Sequence, residues 1–334
     1  MKKTLLPLLL AAVLLSSTSA AQAQPSPDVP DLTPYILTPP TPPTPRINGP
    51  KVFGARPNAQ FLFSVPVSGD RPMNFEADGL PKGLRIDTAT GQITGRVEKA
   101  GTYRVTVSAK NKLGVDSREL RIVIGDRIAL TPPMGWNSWN CWARDVTQQQ
   151  VLSSARAMVE SGLVNHGWAY INIDDGWQGK RGGKYNAIQP NQKFPDMKAL
   201  TDEVHAMGLK LGIYSSPWIG TYAAHIGSYA DNPDGVNQWI KDGNHNENYR
   251  YEKKDGDYWK DRKEVYHHGP YSFVQADAKQ WADWKIDYLK YDWNPNDVYH
   301  VKEMHDALRA TDRDIVYSLS NTAPFADAPA WVQY

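Results

Sequence analysis

The sequence predicts an α/β fold, a (β/α)8 TIM barrel, preceded by a smaller all-β module. From Ile128 onward, short apolar stretches of strand length alternate with amphipathic stretches of helix length, a pattern typical of parallel strands covered by helices. The apolar stretches are nearly continuous, which indicates burial on both faces. Polar or aromatic residues stand at the carboxyl end of each, where barrels place their chemistry. No G-x-G-x-x-G follows the first strand, so a barrel is favoured over a doubly wound dinucleotide-binding sheet.

The amino terminus has the pattern of a secretory signal peptide over residues 1–23. Lys2 and Lys3 precede the apolar run Leu5–Leu15, and small residues follow up to an A-x-A site that ends at Ala23. The run is too short to span a bilayer as a helix of the mature protein. The pattern therefore predicts a bacterial protein that is periplasmic or secreted and is cleaved near Ala23.

Composition and charge limit the classes of partner. The chain carries 37 Lys and Arg against 36 Asp and Glu, a net charge of +1 that gives no electrostatic reason to expect nucleic acid or an anionic membrane surface. The 12 Trp and 17 Tyr fit either a well-filled core or flat faces on which sugar rings stack. The single cysteine, Cys141, cannot form an intramolecular disulfide, so stability must come from packing.

Residues 24–50 are predicted to be a linker and residues 51–126 a β-sandwich. The linker contains TPPTPPTP, in which proline fixes φ and removes backbone donors, so an extended tether is expected. In the module, FLFSVPV, GTYRVTVSA and ELRIVI alternate apolar and polar residues, with turn signals between them. The stretch LPKGLRIDTATGQITG, followed by GTYRVTVSA, resembles the Ig-like modules of bacterial secreted proteins. Such modules are usually spacers, and carbohydrate binding is the alternative role.

Five strands and the helices between them are predicted within residues 127–334. The strands are centred on TPPMGWNSWN, YINIDD, LKLGIYSS, IDYLKYDW and DIVYSLSN. The helices are predicted at PDMKALTDEVHAMG, DAKQWADWK and DVYHVKEMHDALRAT. Because eight strands normally take about 250 residues, we expect a barrel truncated after about five strands, and therefore a fragment of a longer protein.

Four motifs, TPPMGWNSWN, INIDDGW, GLKLGIYSSP and DYLKYDW, resemble the first barrel strands of glycoside hydrolase family 27, the melibiase-like α-galactosidases. The resemblance runs from about Leu130 to the end of the chain, with the motifs in the order found in the family. It implies a retaining glycoside hydrolase that removes terminal α-D-galactosyl residues from oligosaccharides or polysaccharides. Such an enzyme acts on carbohydrate and needs no cofactor.

The resemblance implies that Asp292, in the K-Y-D motif, is the catalytic nucleophile. A retaining glycosidase needs one carboxylate to attack the anomeric carbon and a carboxylic acid about 5–5.5 Å away to protonate the leaving oxygen. Lys290 stands two residues earlier, on the same face of the strand, where it can bind sugar hydroxyls and help to keep Asp292 ionised. Taken without its neighbours, an aspartate at this place would be a turn former at the end of a strand.

Five further positions are implied to bind substrate. Asp174 and Asp175 match a pair that binds the 4- and 6-hydroxyls of galactose, where ionised acceptors penalise an epimer that leaves them unpaired. The pair could instead form a turn or half of a calcium site, but the D-x-[DN]-x-[DN]-G loop pattern is missing. Trp139 matches a stacking platform and Tyr214 a tyrosine beside the nucleophile, with core packing as the alternative for each. Ser320 lies where the classical α-galactosidases carry bulkier groups beside the 2-position of the sugar. The smaller serine leaves space there for a 2-acetamido group on the sugar or for a water.

The segment Trp218–Phe273 is a long insertion at the rim, of the kind that forms a lid or a subsite wall. Within it, His267 and His268 are a weak indication of a metal site, and the sequence predicts no metal. Many family members carry two cysteines that join the rim loops after strands three and four. Tyr222 and Asn294 stand at those positions, so no such disulfide is expected.

The general acid of the family is an aspartate at the end of strand six, which the sequence does not reach, so we expect no measurable hydrolysis by the chain as given. Related exo-glycosidases stay open as alternatives, namely α-N-acetylgalactosaminidase, β-L-arabinopyranosidase and isomalto-dextranase. An arabinopyranose lacks the C6 hydroxyl, so the presence of both Asp174 and Asp175 favours galactose. From another class, a non-catalytic sugar-binding protein is also possible.

Overall fold

A computed structural model of the chain describes residue 35 and residues 40–236, 265–320 and 323–334. The predicted signal peptide and most of the predicted linker lie outside these residues. Residues Thr41–Tyr334 form one compact unit. Within the described ranges, no helix is both long enough and apolar enough to cross a membrane.

The all-β module consists of nine strands. They are β1 (Arg46–Ile47), β2 (Val52–Ala55), β3 (Phe61–Ser64), β4 (Val67–Ser68), β5 (Asn74–Asp78), β6 (Leu84–Ile86), β7 (Gln92–Gly95), β8 (Gly101–Asn111) and β9 (Gly114–Ile124). Strands β2, β9, β8 and β5 form one sheet and β3, β7 and β6 a second, while β1 pairs with β4. Phe61, Ile93 and Ile122 contribute to one core, so the predicted Ig-like sandwich is confirmed. Because β1 pairs within the module, ordered β structure begins inside the segment predicted to be a linker.

The described part of the α/β domain contains nine strands. They are β10 (Gly135–Asn137), β11 (Tyr170–Asn172), β12 (Gln178–Gly182), β13 (Ala187–Pro190), β14 (Lys210–Ser215), β15 (Tyr229–Ala230), β16 (Tyr271–Ser272), β17 (Tyr288–Tyr291) and β18 (Val316–Leu319). Strands β10, β11, β14, β17 and β18 form one parallel sheet in that order. Each strand pairs with the one before it, as in a barrel that winds in one direction. The predicted five strands of a β/α barrel are therefore confirmed.

One or two helices follow each strand of the parallel sheet along the chain. They are α1 (Trp139–Trp142), α2 (Gln148–Glu160), α3 (Met197–Ala206), α4 (Val274–Asp283), α5 (Val298–Arg309) and α6 (Ala328–Trp331). Three of them begin at side chains that accept a backbone N–H of the first turn: Thr147 for α2, Asp196 for α3 and Asp297 for α5. Their apolar faces pack on the sheet, where Leu211 and Leu289 are fully buried.

The module packs against the amino-terminal end of the parallel strands. The guanidinium of Arg56 donates to Asp314 Oδ1 at 2.7 Å and to the carbonyl oxygens of Arg309, at 2.7 Å, and Thr311, at 3.1 Å, just before β18. Ser64 Oγ donates to the Gly208 carbonyl at 2.8 Å, just before β14. The module therefore lies opposite the carboxyl ends of the strands.

Part of the insertion between β14 and α4 is well packed. Trp218, Ile219 and Ile226 are buried in the main core, and β15 pairs with β16. Residues 237–264 lie outside the described part of the chain. The described portion begins directly beyond the carboxyl end of β14, which brings it next to the candidate site.

Candidate active site

The candidate site lies at the carboxyl ends of the parallel strands. Tyr214 and Lys290 are paired in the register of β14 and β17, so their side chains lie next to each other on one face of the sheet. Asp174 follows β11, Asp292 follows β17 and Ser320 follows β18. The structure thus brings together side chains that the sequence separates by more than 100 residues.

Asp292 receives its partners from three neighbouring strands. Tyr214 OH donates to Asp292 Oδ2 at 3.1 Å, and Lys290 Nζ lies 3.9 Å from the same oxygen. Burial raises the pKa of Asp292 above its ordinary value, and a hydrogen bond with Ser320, the charge of Lys290 and the bond from Tyr214 offset this only in part. The side chain is 15% exposed, so a ligand can reach it. It has the partial burial and the incomplete pairing that suit a reactive carboxylate.

Asp174 is held more tightly than Asp292. Its Oδ2 accepts from Asn137 Nδ2 at 2.8 Å and from Lys290 Nζ at 2.9 Å, and its side chain is 3% exposed. Its backbone N–H donates to Ser138 Oγ at 2.9 Å, which fixes the turn after β11. Asp174 is therefore a paired anion at the edge of the site.

Lys290 lies between the two carboxylates. Burial alone would lower the pKa of Lys290, but the charge and the hydrogen bond of Asp174, together with Asp292, raise it above its ordinary value. Its Nζ also lies 5.2 Å from the centre of the Tyr214 ring. The ammonium group is thus charged at neutral pH and faces both acids.

Asp175 points toward the insertion. Its Oδ1 accepts from Thr221 Oγ1 at 2.8 Å and its Oδ2 accepts from the backbone N–H of Ala223 at 2.7 Å. His225 Nδ1 lies 3.5 Å from Oδ1. Asp175 therefore anchors residues 221–223 beside the site, and any sugar hydroxyl would have to share an oxygen with these donors.

Trp139 starts helix α1 directly after β10 and is partly buried. Its backbone N–H donates to Asn137 Oδ1 at 2.9 Å, so one side chain, Asn137, holds both the turn into α1 and Asp174. Cys141 is exposed on the same short helix.

Two residues beside the site were not among the predicted site residues. Asn137 is one, although its place at a strand end in the GWNSWN motif could have indicated it. Tyr222 is the other: burial, with the nearby charge of Asp292, raises the pKa of Tyr222 to about 12. Its ring lies 5.3 Å from the Trp218 ring and 5.4 Å from the Tyr266 ring. It lies in an insertion whose path no sequence pattern specifies.

Two family models match the chain. Melibiase_2, described as alpha galactosidase A, matches residues 131–268 and 261–329, which together exceed half of the 334 residues. A model for an Ig domain, He_PIG, matches residues 44–125. The two matches fall on the α/β domain and on the all-β module.

Curated relatives match about three fifths of the chain. An alpha-galactosidase A of Cellvibrio japonicus is 36% identical over 202 residues, which are 58% of this chain and 39% of the relative. An alpha-galactosidase of Coffea arabica is 32% identical over 212 residues, which are 62% of this chain and 45% of the relative. The chain thus spans less than half the length of these relatives.

Two crystal structures of Bacteroides fragilis proteins, both provisionally named alpha-galactosidases, have the same fold. Each is 38% identical to the chain, with TM-scores of 0.66 and 0.69. The similarity covers 82% and 86% of this chain and 51% and 54% of those proteins. Coverage of this extent includes the module as well as the α/β domain.

Proposed function

Because the chain belongs to the alpha galactosidase A family described by the Melibiase_2 model, we propose that it carries the nucleophile and the galactose-binding groups of a retaining α-galactosidase. One observation carries the proposal. Lys290 Nζ lies between two carboxylates at the carboxyl edge of the sheet, 2.9 Å from Asp174 and 3.9 Å from Asp292. Asp174 is the more buried and more closely paired of the two acids, and Asp292 is the more open to a ligand.

In the proposed reaction, Asp292 attacks the anomeric carbon of a terminal α-galactosyl residue, the glycosidic C–O bond breaks and a covalent glycosyl–enzyme intermediate forms. A second carboxylic acid protonates the leaving oxygen, and water later releases galactose from Asp292. Tyr214 and Ser320 hold the carboxylate through hydrogen bonds, and Lys290 stabilises its charge. Because these groups are already in place, the nucleophile needs little reorganisation when the sugar binds.

Sugar recognition is assigned to the groups around the nucleophile. Asp174 and Lys290 accept from and donate to galactose hydroxyls, and Asp175 uses the acceptor capacity left beside Thr221 and Ala223. Trp139 offers an apolar face to the ring. Asp174 Oδ2 accepts hydrogen bonds from Lys290 and Asn137, so the proposal gives Asp174 the part of an acceptor.

The assignment can be tested in a way that does not depend on protonation of the leaving group. A fluorinated galactosyl inactivator with an activated leaving group loses that group without protonation, so it reports on the nucleophile alone. We expect mass spectrometry to find one galactosyl label, on the peptide that contains Asp292. Asp292→Asn should abolish labelling, whereas Asp174→Asn should slow it and leave the site unchanged. A label on any other side chain, or none on the folded protein, would refute the proposal.

We further propose that the protein acts outside the cytoplasm, in the periplasm or the medium. The proposal is supported by the signal-like pattern over residues 1–23 and by the Ig-like module. The mature protein, isolated from a bacterial host, should begin directly after Ala23. An intact amino terminus on protein that stays in the cytoplasm would contradict this proposal.

A further inference from the structure

Three potential metal ligands from separate segments meet beside the loop that follows β17. His268 belongs to the insertion, Asp297 precedes α5 and His300 lies in the first turn of that helix. One ligand atom from each lies within 4.8 Å of the other two. We call this group the His–Asp cluster. It is separate from the pairs around Lys290.

The distances within the cluster are short. His300 Nδ1 lies 2.9 Å and 2.8 Å from the two oxygens of Asp297. His268 Nε2 lies 3.9 Å from Asp297 Oδ2, and the two imidazole rings stack with their centres 3.6 Å apart. A single ion could contact all three side chains after a small shift of His268, which is 31% exposed.

Groups outside the cluster orient its members. Trp293 Nε1 donates to Asp297 Oδ2 at 3.2 Å. His268 Nδ1 lies 3.2 Å from the Pro217 carbonyl, so Nδ1 carries the proton and Nε2 offers a lone pair. The edge of the Tyr229 ring packs against both imidazoles. Partners of this kind, which fix the tautomer and orientation of a ligand, are typical of protein metal sites.

A helix cap explains only part of this arrangement. Asp297 Oδ1 accepts the backbone N–H of His300 at 3.0 Å, as a capping residue does. This accounts for Asp297 and His300. It leaves unexplained why His268, from a distant segment, faces the same carboxylate at a distance too long for a hydrogen bond.

We propose that the His–Asp cluster binds one divalent transition-metal ion, with Zn²⁺ as the best match. Two imidazole nitrogens and one carboxylate oxygen suit zinc, whereas calcium and magnesium prefer oxygen ligands only. His300 would bind the ion as a neutral imidazole through Nδ1, with its single ring proton on Nε2. This departs from the sequence-based prediction of no metal.

The bound ion would join two loops of the rim. His268 follows β14 and β15 in the chain, and Asp297 stands five residues after Asp292. Metal coordination by both segments would fix the insertion to the loop that follows Asp292. We expect it to act as a structural link between the two loops.

The test is a Zn²⁺ titration of the EDTA-treated protein without its predicted signal peptide (residues 24–334), followed by calorimetry and by metal analysis after dialysis. We expect one Zn²⁺ per chain and a higher melting temperature in its presence. Asp297→Asn keeps the helix cap, because asparagine is an equally good capping residue. It should weaken binding at least about tenfold, as should His268→Ala and His300→Ala.

The matched control is His267→Ala, which removes a neighbouring histidine that pairs with Asp231 at the surface. It should bind Zn²⁺ with unchanged affinity and stoichiometry. No binding by the folded chain, or binding that survives all three cluster substitutions, would overturn the proposal. Labelling of Asp292 by the galactosyl inactivator does not depend on this result, so the two proposals fail separately.

Discussion

Strand β17 has an aspartate directly beyond each of its ends, and the protein shifts the pKa values of these two residues in opposite directions. At the amino end, Asp287 accepts from His205 Nε2 at 2.6 Å, from the Leu211 N–H at 2.9 Å and from Arg313. Burial alone would raise the pKa of Asp287, but the Arg313 and His205 charges lower it below its ordinary value. At the carboxyl end, the pKa of Asp292 is raised.

The difference separates a carboxylate that stabilises the fold from one that is available to a ligand. A carboxylate saturated with charged and backbone donors stabilises the fold, and nothing is left for a ligand. A carboxylate with fewer and longer contacts is less stable as an anion and can gain from a new partner. Four substitutions follow, from the largest expected effect to the smallest. The first and the last test this comparison, and the other two test the contacts between the module and the parallel sheet.

Asp287→Asn should give the largest loss of stability. It leaves the Arg313 guanidinium, which is 9% exposed, without its anionic partner, and breaking a buried pair costs about 3–5 kcal/mol. Urea unfolding followed by circular dichroism measures the change. Because the folded pKa of Asp287 is lowered, its contribution is present above the unfolded pKa and is lost as the pH falls through the folded value. Equal midpoints for the variant and the wild type would break the comparison.

Arg56→Ala should give the second-largest loss. It removes the pair with Asp314, whose two side chains are each 14% exposed, and also the bonds to backbone carbonyl oxygens before β18. We expect the free energy of unfolding to fall by about 2–4 kcal/mol. Arg104→Ala is the matched control, because its pair with Glu119 is exposed and should contribute less than about 1 kcal/mol. Similar losses in both variants would contradict a specific docking of the module.

Lys210→Met should raise stability at neutral pH. Burial lowers the pKa of Lys210 to about 8 from 10.5, so the wild type should become more stable as the pH rises from about 8 to 10.5. The lost contact with the Phe53 ring, 4.2 Å away, reduces the gain, and we expect a net change of about 1 kcal/mol. Thermal melts from pH 7 to 10 check this. If the melting temperature of the wild type does not rise above pH 8, the Lys210 amine is well solvated and the prediction is wrong.

Asp292→Asn should have the smallest effect on stability, between no change and a gain of about 1 kcal/mol. Because the folded pKa of Asp292 is raised, its contribution is fully present below the unfolded pKa and declines as the pH rises through the folded value. Urea unfolding between pH 3 and 7 should show this decline in the free energy of unfolding for the wild type and not for the variant. A large loss would mean that Asp292 is a structural anion like Asp287.

The sequence was sufficient for some of these features and not for others. Parallel strands bring their carboxyl ends together, so the meeting of Asp174, Lys290 and Asp292 follows from strand order alone. The bonds that tie Asp175 to residues 221–223 depend on the path of an insertion, which no periodicity specifies. The same holds for Arg56 and Asp314, which are 258 positions apart.

The docking of the module also bears on how the chain folds during synthesis. Domains generally fold as units as they leave the ribosome, with the amino-terminal one first. The module can therefore complete its sandwich before residues 309–314 have been made. Arg56 and Ser64 would then already be in place to donate hydrogen bonds to the backbone just before β14 and β18. An early-folding neighbour of this kind would guide the register of later strands, whose pairing over long loops is otherwise slow.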